Sequence, residues 1–278
     1  MRSLSQPGPV HTQRIDSVAG VVASLTFPSR SGVSLSRAAT ENLVKAGWRG
    51  GTLSFTGGAF DPFRYVMPGP PDNETHVAYF SAPCQPAGVV RIEQANATFG
   101  WHDGKPRLHC HAAWIEPGGA RRGGHILTDE TIMAEPVIIH AWGSADFEIS
   151  ALLDPETNFT LFQPRGSSRP DTDAVIARVR PNEDIIAAIE TIAYRHGMRE
   201  ATIRGSLGSL IGARFVDGTT VPDNATEVLV RNGHVRNSRA ALDLLVIDGQ
   251  GHVHEGWLER GENPVCITFD LLLTRDER

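Results

Sequence analysis

A chain of 278 residues exceeds the ~100–150 of a usual single domain, so two domains or one large one are expected. A hydrophobic share of 40% and a charged share of 21% speak against whole-chain disorder, and 28 Gly with 18 Pro speak against a helical bundle, in favour of many short strands. The net charge of −6 opposes a broad affinity for nucleic acid, and no stretch reaches the ~20 apolar residues of a membrane span.

The start, MRSLSQPGPVHTQRIDS, lacks the apolar core of a secretory signal, and Cys84, Cys110 and Cys266 are too few and too scattered for a disulfide framework. A soluble, cytoplasmic protein with structural cysteines is expected. Residues 1–16 are polar, contain Pro and show no periodicity, which predicts a flexible N-terminal arm. Order should begin near the apolar, β-branched run Val18–Phe27, read as one strand. The helix-like stretch SLSRAATENLVKAG and the Gly-rich strand GGTLSFTGGAFDPFRYV follow, and Leu108–Trp114 reads as a further strand.

At QPRGSSRPDTD, residues 163–173, any apolar pattern gives way to a linker composition, which separates residues 17–162 from residues 174–278. The second part opens on RVRPNEDIIAAIETIAYRHGM. Pro181 and Asn182 stand where a helix should start, Glu183 and Asp184 suit its dipole, and Gly197 closes it. Ile185, Ile189, Ile192 and Ala193 give one apolar face over about 14 residues. Then ATIRGSLGSLIGARFV reads as a strand interrupted by Gly205 and Gly208. Thr52 to Ala59 can be laid on Thr202 to Ser209, and PRLHCHAAW…GGHIL on RAALDLLVI…EGWLE, so a diverged internal duplication is expected.

The chemistry concentrates at HCHAAWIEPGGARRGGH, residues 109–125. On a strand, His109 and His111 share a face and Cys110 points away. The turn EPGGARRGG would fold a second strand back and bring His125 alongside. Three imidazoles with an open fourth position are a known catalytic arrangement for zinc, and other divalent transition metals also accept imidazole. The prediction depends on hairpin register, since a slip of one residue would turn His125 away. A second His-x-His, His252 and His254, lies in a turn with no third partner.

The His-x-His, the Gly-containing turn and the following Gly-Gly-His resemble the signature of the plants-and-prokaryotes-conserved (PPC) domain. The second part resembles the same family through RVRPNEDIIAAIETIAYRHGMREATIRGSLGSL, although Asn182 departs from the family's usual Gly. The matches touch most of residues 20–273. The resemblance implies two tandem related α+β domains, each an antiparallel sheet packed with a helix. It implies metal ligation by His109, His111 and His125, and a metal-free second copy with Leu242, Leu244 and Trp257 in the corresponding places. Single-domain members are typically trimers, so a homo-oligomer is expected. The implied fold is also similar to that of α-acetolactate decarboxylase, a likeness that transfers no activity.

Two functions of different classes remain open, beside a third in which the ion is structural and the protein binds a ligand without turning it over. One is a zinc enzyme of decarboxylase (lyase), isomerase or hydrolase type acting on a small carboxylate or keto acid. For it, Glu135 on the apolar run TIMAEPVIIHAW is the first acid–base candidate, with a solvent-facing edge glutamate as the competing reading. His76 and His140 are further proton-transfer candidates or structural residues. Arg64, among aromatics, would clamp a substrate carboxylate unless it forms a surface ion pair, and Arg121 and Arg122 in the hairpin turn suit a carboxylate or a subunit contact. The other is a DNA-associated or assembly module. No Arg-Gly-Arg-Pro core of an AT-hook occurs here, and a nucleic-acid or membrane partner is not expected.

Overall fold

The computed structural model describes residues 2–71, 73–169 and 171–276; Met1 of the arm, Pro170 of the linker, and Glu277 and Arg278 lie outside the described residues. In chain order the principal elements are β1 (Ile15–Gly20), β2 (Ala23–Pro28), α1 (Leu35–Lys45), β3 (Gly50–Phe55), β4 (Tyr65–Val66), β5 (Val90–His102), β6 (Lys105–Ile115), β7 (Arg121–Ile126), β8 (Ile138–Ser144), β9 (Glu148–Leu153) and β10 (Thr160–Arg165). They continue with β11 (Ala174–Val179), α2 (Ile185–Arg195), β12 (Ala201–Ile203), β13 (Leu207–Leu210), β14 (Thr226–Arg236), β15 (Arg239–Ile247), β16 (Val253–Trp257) and β17 (Val265–Arg275).

The strands form a sheet-dominated α+β fold with two large, mostly antiparallel sheets. The first runs β2-β8-β3-β5-β6-β7-β4, and the second runs β1-β11-β17-β12-β14-β15-β16. If β1 and β4 are set aside, the two orders are the same in space and in sequence: strand, helix, strand, three strands joined as hairpins, and a last strand returning between the first two. The pair β9–β10 is extra to this pattern and joins the first sheet by one parallel pairing, Ser150 opposite Trp101.

Each helix covers the outer face of one sheet. Ser34 caps α1 by accepting from the Arg37 N–H, and the helix buries Leu35, Ala38, Ala39 and Leu43 against Leu53, Phe55, Cys110 and Trp114. Asp184 caps α2 by accepting from the Ala187 N–H, so this helix starts later than the Pro181-Asn182 signal suggests and has 11 residues. Asn182 takes a left-handed conformation, φ 66°, and its amide exchanges two bonds of 2.9 Å with the backbone of Leu4. The N-terminal segment expected to be loose is thereby fastened, with Gln6 also donating to the Cys266 carbonyl at 2.8 Å.

The inner faces of the sheets pack on each other through Ala113, Leu207, Leu229, Leu245 and Ile247. Asn96 of β5 is buried and donates to the carbonyls of Ser206 at 2.9 Å and Val230 at 2.7 Å, while Thr52 donates to the Arg204 carbonyl at 2.9 Å. Between them Gly205, at φ +52°, lets the backbones meet; a Cβ there would stand 2.8 Å from the Leu53 oxygen. The layers are therefore helix, sheet, sheet, helix, with polar side chains on the inner seam.

The run Val18–Phe27 is two strands in two sheets, not one. The Asp146 and Asp173 carboxylates accept from the N–H groups of Val21 and Val22, at 3.1 and 2.9 Å, which stops the ladder there. Then β1 crosses to pair with β11, Ile15 opposite Val179. No helix is long and apolar enough to cross a membrane among the described residues.

Candidate metal centre

The β6–β7 hairpin places His125 directly opposite His111. That register puts both rings on one face, and His109, two residues earlier on β6, joins them. Ligand nitrogens of the three rings lie within 4.8 Å of one another. Gly124 keeps β7 close to β4, since a Cβ there would meet the Val66 oxygen at 2.5 Å.

This face is the inner one, so the second sheet supplies the surroundings. The His111 Nδ1–H donates to the Val228 carbonyl at 3.0 Å, and the His109 Nδ1–H donates to the Asp270 carboxylate at 3.1 Å. Both bonds fix the tautomer, leaving each Nε2 with a lone pair. These two Nε2 atoms are 3.1 Å apart. Lone pairs at that distance repel unless a shared proton or a metal ion lies between them, and two nitrogens bound tetrahedrally at ~2.0–2.1 Å from zinc stand about 3.3–3.4 Å apart. The residues fit a divalent metal.

The electrostatics agree. Burial, with the charges of His109 and His125 adding to it, holds His111 well below the usual imidazole range. Burial first and His109 second lower His125 to about 3, and its Nδ1 is buried without a hydrogen-bond partner among the described residues. Both rings are neutral at neutral pH, as metal ligands must be.

Three groups on the second sheet escaped the sequence reading. Glu227 of β14 places Oε1 3.8 Å from His111 Nε2, its Oε2 has no partner among the described residues, and burial pushes its carboxyl well above the usual range. Asp270 of β17 orients His109. Behind it, fully buried Arg178 donates from Nε to Thr268 Oγ1 at 3.1 Å and pairs with Asp154 at 2.5 Å, and Arg180 shares that carboxylate oxygen at 2.7 Å. The only signals for them were single charged residues inside the apolar runs TEVLV, ITFDLLL and VIARV.

The other sequence candidates lie elsewhere. Glu135 sits on an exposed bend, not on a strand, and pairs with Arg91 at 3.2 Å. Arg64 pairs with Glu130 at 2.6 Å, pointing away from its buried neighbours Phe63 and Tyr65. Arg121 bridges Glu93 at 2.7 Å and Glu255 at 3.0 Å, and Arg122 reaches the Gln250 carbonyl at 3.4 Å. His140 is exposed on β8 and bonds Thr26 at 3.0 Å. His76 alone approaches the centre, its ring 4.5 Å from that of Phe159, which lines the cavity beside the histidines. His252 and His254 share one oxygen of Asp248, at 3.2 and 3.0 Å.

The corresponding places in the second sheet are not Leu242, Leu244 and Trp257. The hairpin ends, His102 opposite Lys105 and Arg236 opposite Arg239, align His109 with Asp243 and His111 with Leu245, whose cross-strand partner is Glu255. Leu242 and Leu244 face α2 instead, because one residue along a strand reverses the face. Arg231 grips Asp243 with two bonds of 2.8 Å and approaches Glu255 at 3.3 Å. A guanidinium thus neutralises the acids at the places that correspond to His109 and His125.

The fold and the three-histidine centre describe a sheet-dominated α+β protein with a group that could hold a metal ion. The family model for the Plants and Prokaryotes Conserved (PCC) domain matches residues 166–275, so the chain carries a PCC domain there, on the half without the histidines. No curated protein matches the chain. A metal-containing protein of Archaeoglobus fulgidus aligns over 52% of this chain and 95% of its own, at 17% identity and a TM-score of 0.42. The PPC protein of Pyrococcus horikoshii aligns over 56% and 97%, at 14% identity and a TM-score of 0.42. A Ralstonia eutropha protein whose description proposes DNA binding aligns over 49% and 88%, at 14% identity and a TM-score of 0.39.

Proposed function

We propose that the chain is a zinc-dependent enzyme of lyase, isomerase or hydrolase type acting on a small oxygen-bearing molecule such as a carboxylate or keto acid. The observation that carries this reading is the pair of Nε2 atoms 3.1 Å apart, beside a third imidazole within 4.8 Å. His109, His111 and His125 would hold the metal. When bound, zinc would polarise a substrate oxygen or lower the pKa of a bound water. Glu227, not Glu135, is the group positioned to take up and return a proton, since its carboxyl stands beside His111. Asp270 holds the His109 ring in its ligating orientation.

The matching strand order of the two sheets supports reading them as tandem copies of one domain, of which the first kept the metal and the second became its support. A homo-oligomer remains part of the proposal through the family's assembly habit.

Metal content of the purified protein, beside a His109→Ala, His111→Ala double variant, tests the reading. About one equivalent in the wild type, lost in the variant, supports it, and a wild type that takes up no zinc ends it. A DNA-associated or assembly module is the second reading, favoured by the PCC match on the half outside the three-histidine group. Salt-dependent retention on DNA by a metal-free protein would support that alternative.

A further inference from the structure

Beside the histidines lies a small cavity of about 80 Å³, lined in part by His109, His111 and Glu227. Its walls are Tyr79, Phe80, Phe159, Leu161 and Ile267. No Lys or Arg lines it among the described residues. Three wall hydroxyls are already committed, leaving that of Tyr79 at the mouth: Ser209 Oγ accepts from the Ile267 N–H at 2.9 Å, Thr226 Oγ1 donates to the Leu210 carbonyl at 3.2 Å, and Thr268 Oγ1 accepts from Arg178 at 3.1 Å. A second opening shares His109, Phe80 and Phe159 with this cavity, also borders His125, and includes Arg107, which is paired with Asp129.

Tyr79 and Phe80 remain 40% and 38% exposed at the mouth, although Tyr79 stacks on Phe159 at 5.6 Å and Phe80 lies 5.3 Å from the His125 ring. Aromatic surface around a polar end would be covered by an apolar body whose head reaches the metal. A second anionic group would meet no cation there and would face Glu227.

We infer that the substrate carries a single metal-ligating oxygen head on a ring-sized apolar body, which sets aside phosphate esters, dicarboxylates, sugars and nucleotides. The inference rests on the metal reading of the same site and narrows its carboxylates to those with one charged head. Affinity should then follow the tail and not its charge.

Three hydroxamates with one metal-binding head test this on the zinc-loaded full chain by calorimetry: acetohydroxamate, benzohydroxamate and succinic monohydroxamate. Benzohydroxamate is expected to bind about tenfold or more tighter than acetohydroxamate, and the succinic compound no tighter. Tyr79→Ala and Phe80→Ala, at half-exposed positions that the core does not need, should shrink the phenyl advantage while zinc content stays unchanged. Equal affinity for the methyl and phenyl compounds, or preference for the succinic one, overturns the inference. If no zinc is retained, the metal reading fails by itself, and the cavity is judged with 2-naphthol on the metal-free chain. Binding weakened by Phe80→Ala then upholds the apolar body, and no binding overturns it.

Discussion

His109 depends on a residue 161 positions away, because Asp270 is the acceptor that fixes its ring. Asp270→Asn should lower zinc affinity by about 10–100-fold, read by competition with a chromogenic chelator, while circular dichroism shows a folded chain. A full loss of structure would mean that the carboxylate serves the core and not the ligand. Asp154 makes a different case. Burial raises its carboxyl, but the charges and hydrogen bonds of Arg178 and Arg180 outweigh that and hold it below 3.8. Its stabilisation is therefore present above pH 3.8 and is lost as pH falls through the folded value. Asp154→Asn should cost ~3–5 kcal/mol at pH 7 by denaturant unfolding, a gap that closes in acid. At this scale the histidines were legible because two of them share a strand and the third follows a turn. Glu227, Asp270 and Arg178 were not, since nothing local shows which face of a distant sheet meets them.

Hairpin register decides whether three histidines make a centre or a surface ornament. Gly124→Ala would drive a Cβ into the Val66 carbonyl, parting β7 from β4 and displacing His125. It should destabilise by ~1–3 kcal/mol and weaken zinc binding about tenfold, seen in thermal melts and metal titrations of the same preparation. Unchanged zinc affinity would show that His125 is not held by this strand pairing. The hairpin and both helices could be read from turn residues, alternation and caps. The division of Val18–Phe27 could not, because the residues that interrupt it are the side chains of Asp146 and Asp173, more than a hundred positions on. The counterpart positions in the second sheet failed for a related reason: laid over each other by apolar pattern, the hairpins slip by one residue, and only their turns set the alignment.

For the whole molecule, the seam between the sheets is both the centre and the join. Fragments 1–165 and 166–278 produced apart should neither fold stably nor hold zinc at the affinity of the intact chain, since each lacks half of the surroundings, and co-production should restore binding. Tight zinc binding by the first fragment alone would show that the second sheet is dispensable. The sheet pairing of β1 adds a matter of timing. Its partner β11 emerges from the ribosome more than 150 residues after it, a wait of roughly 8–30 s at ~5–20 residues per second. Throughout that interval a β-branched strand edge has no ladder to join, so a bulky fusion placed ahead of it, or a pause in translation across the linker, should raise the misfolded fraction far more than the same change made after β17.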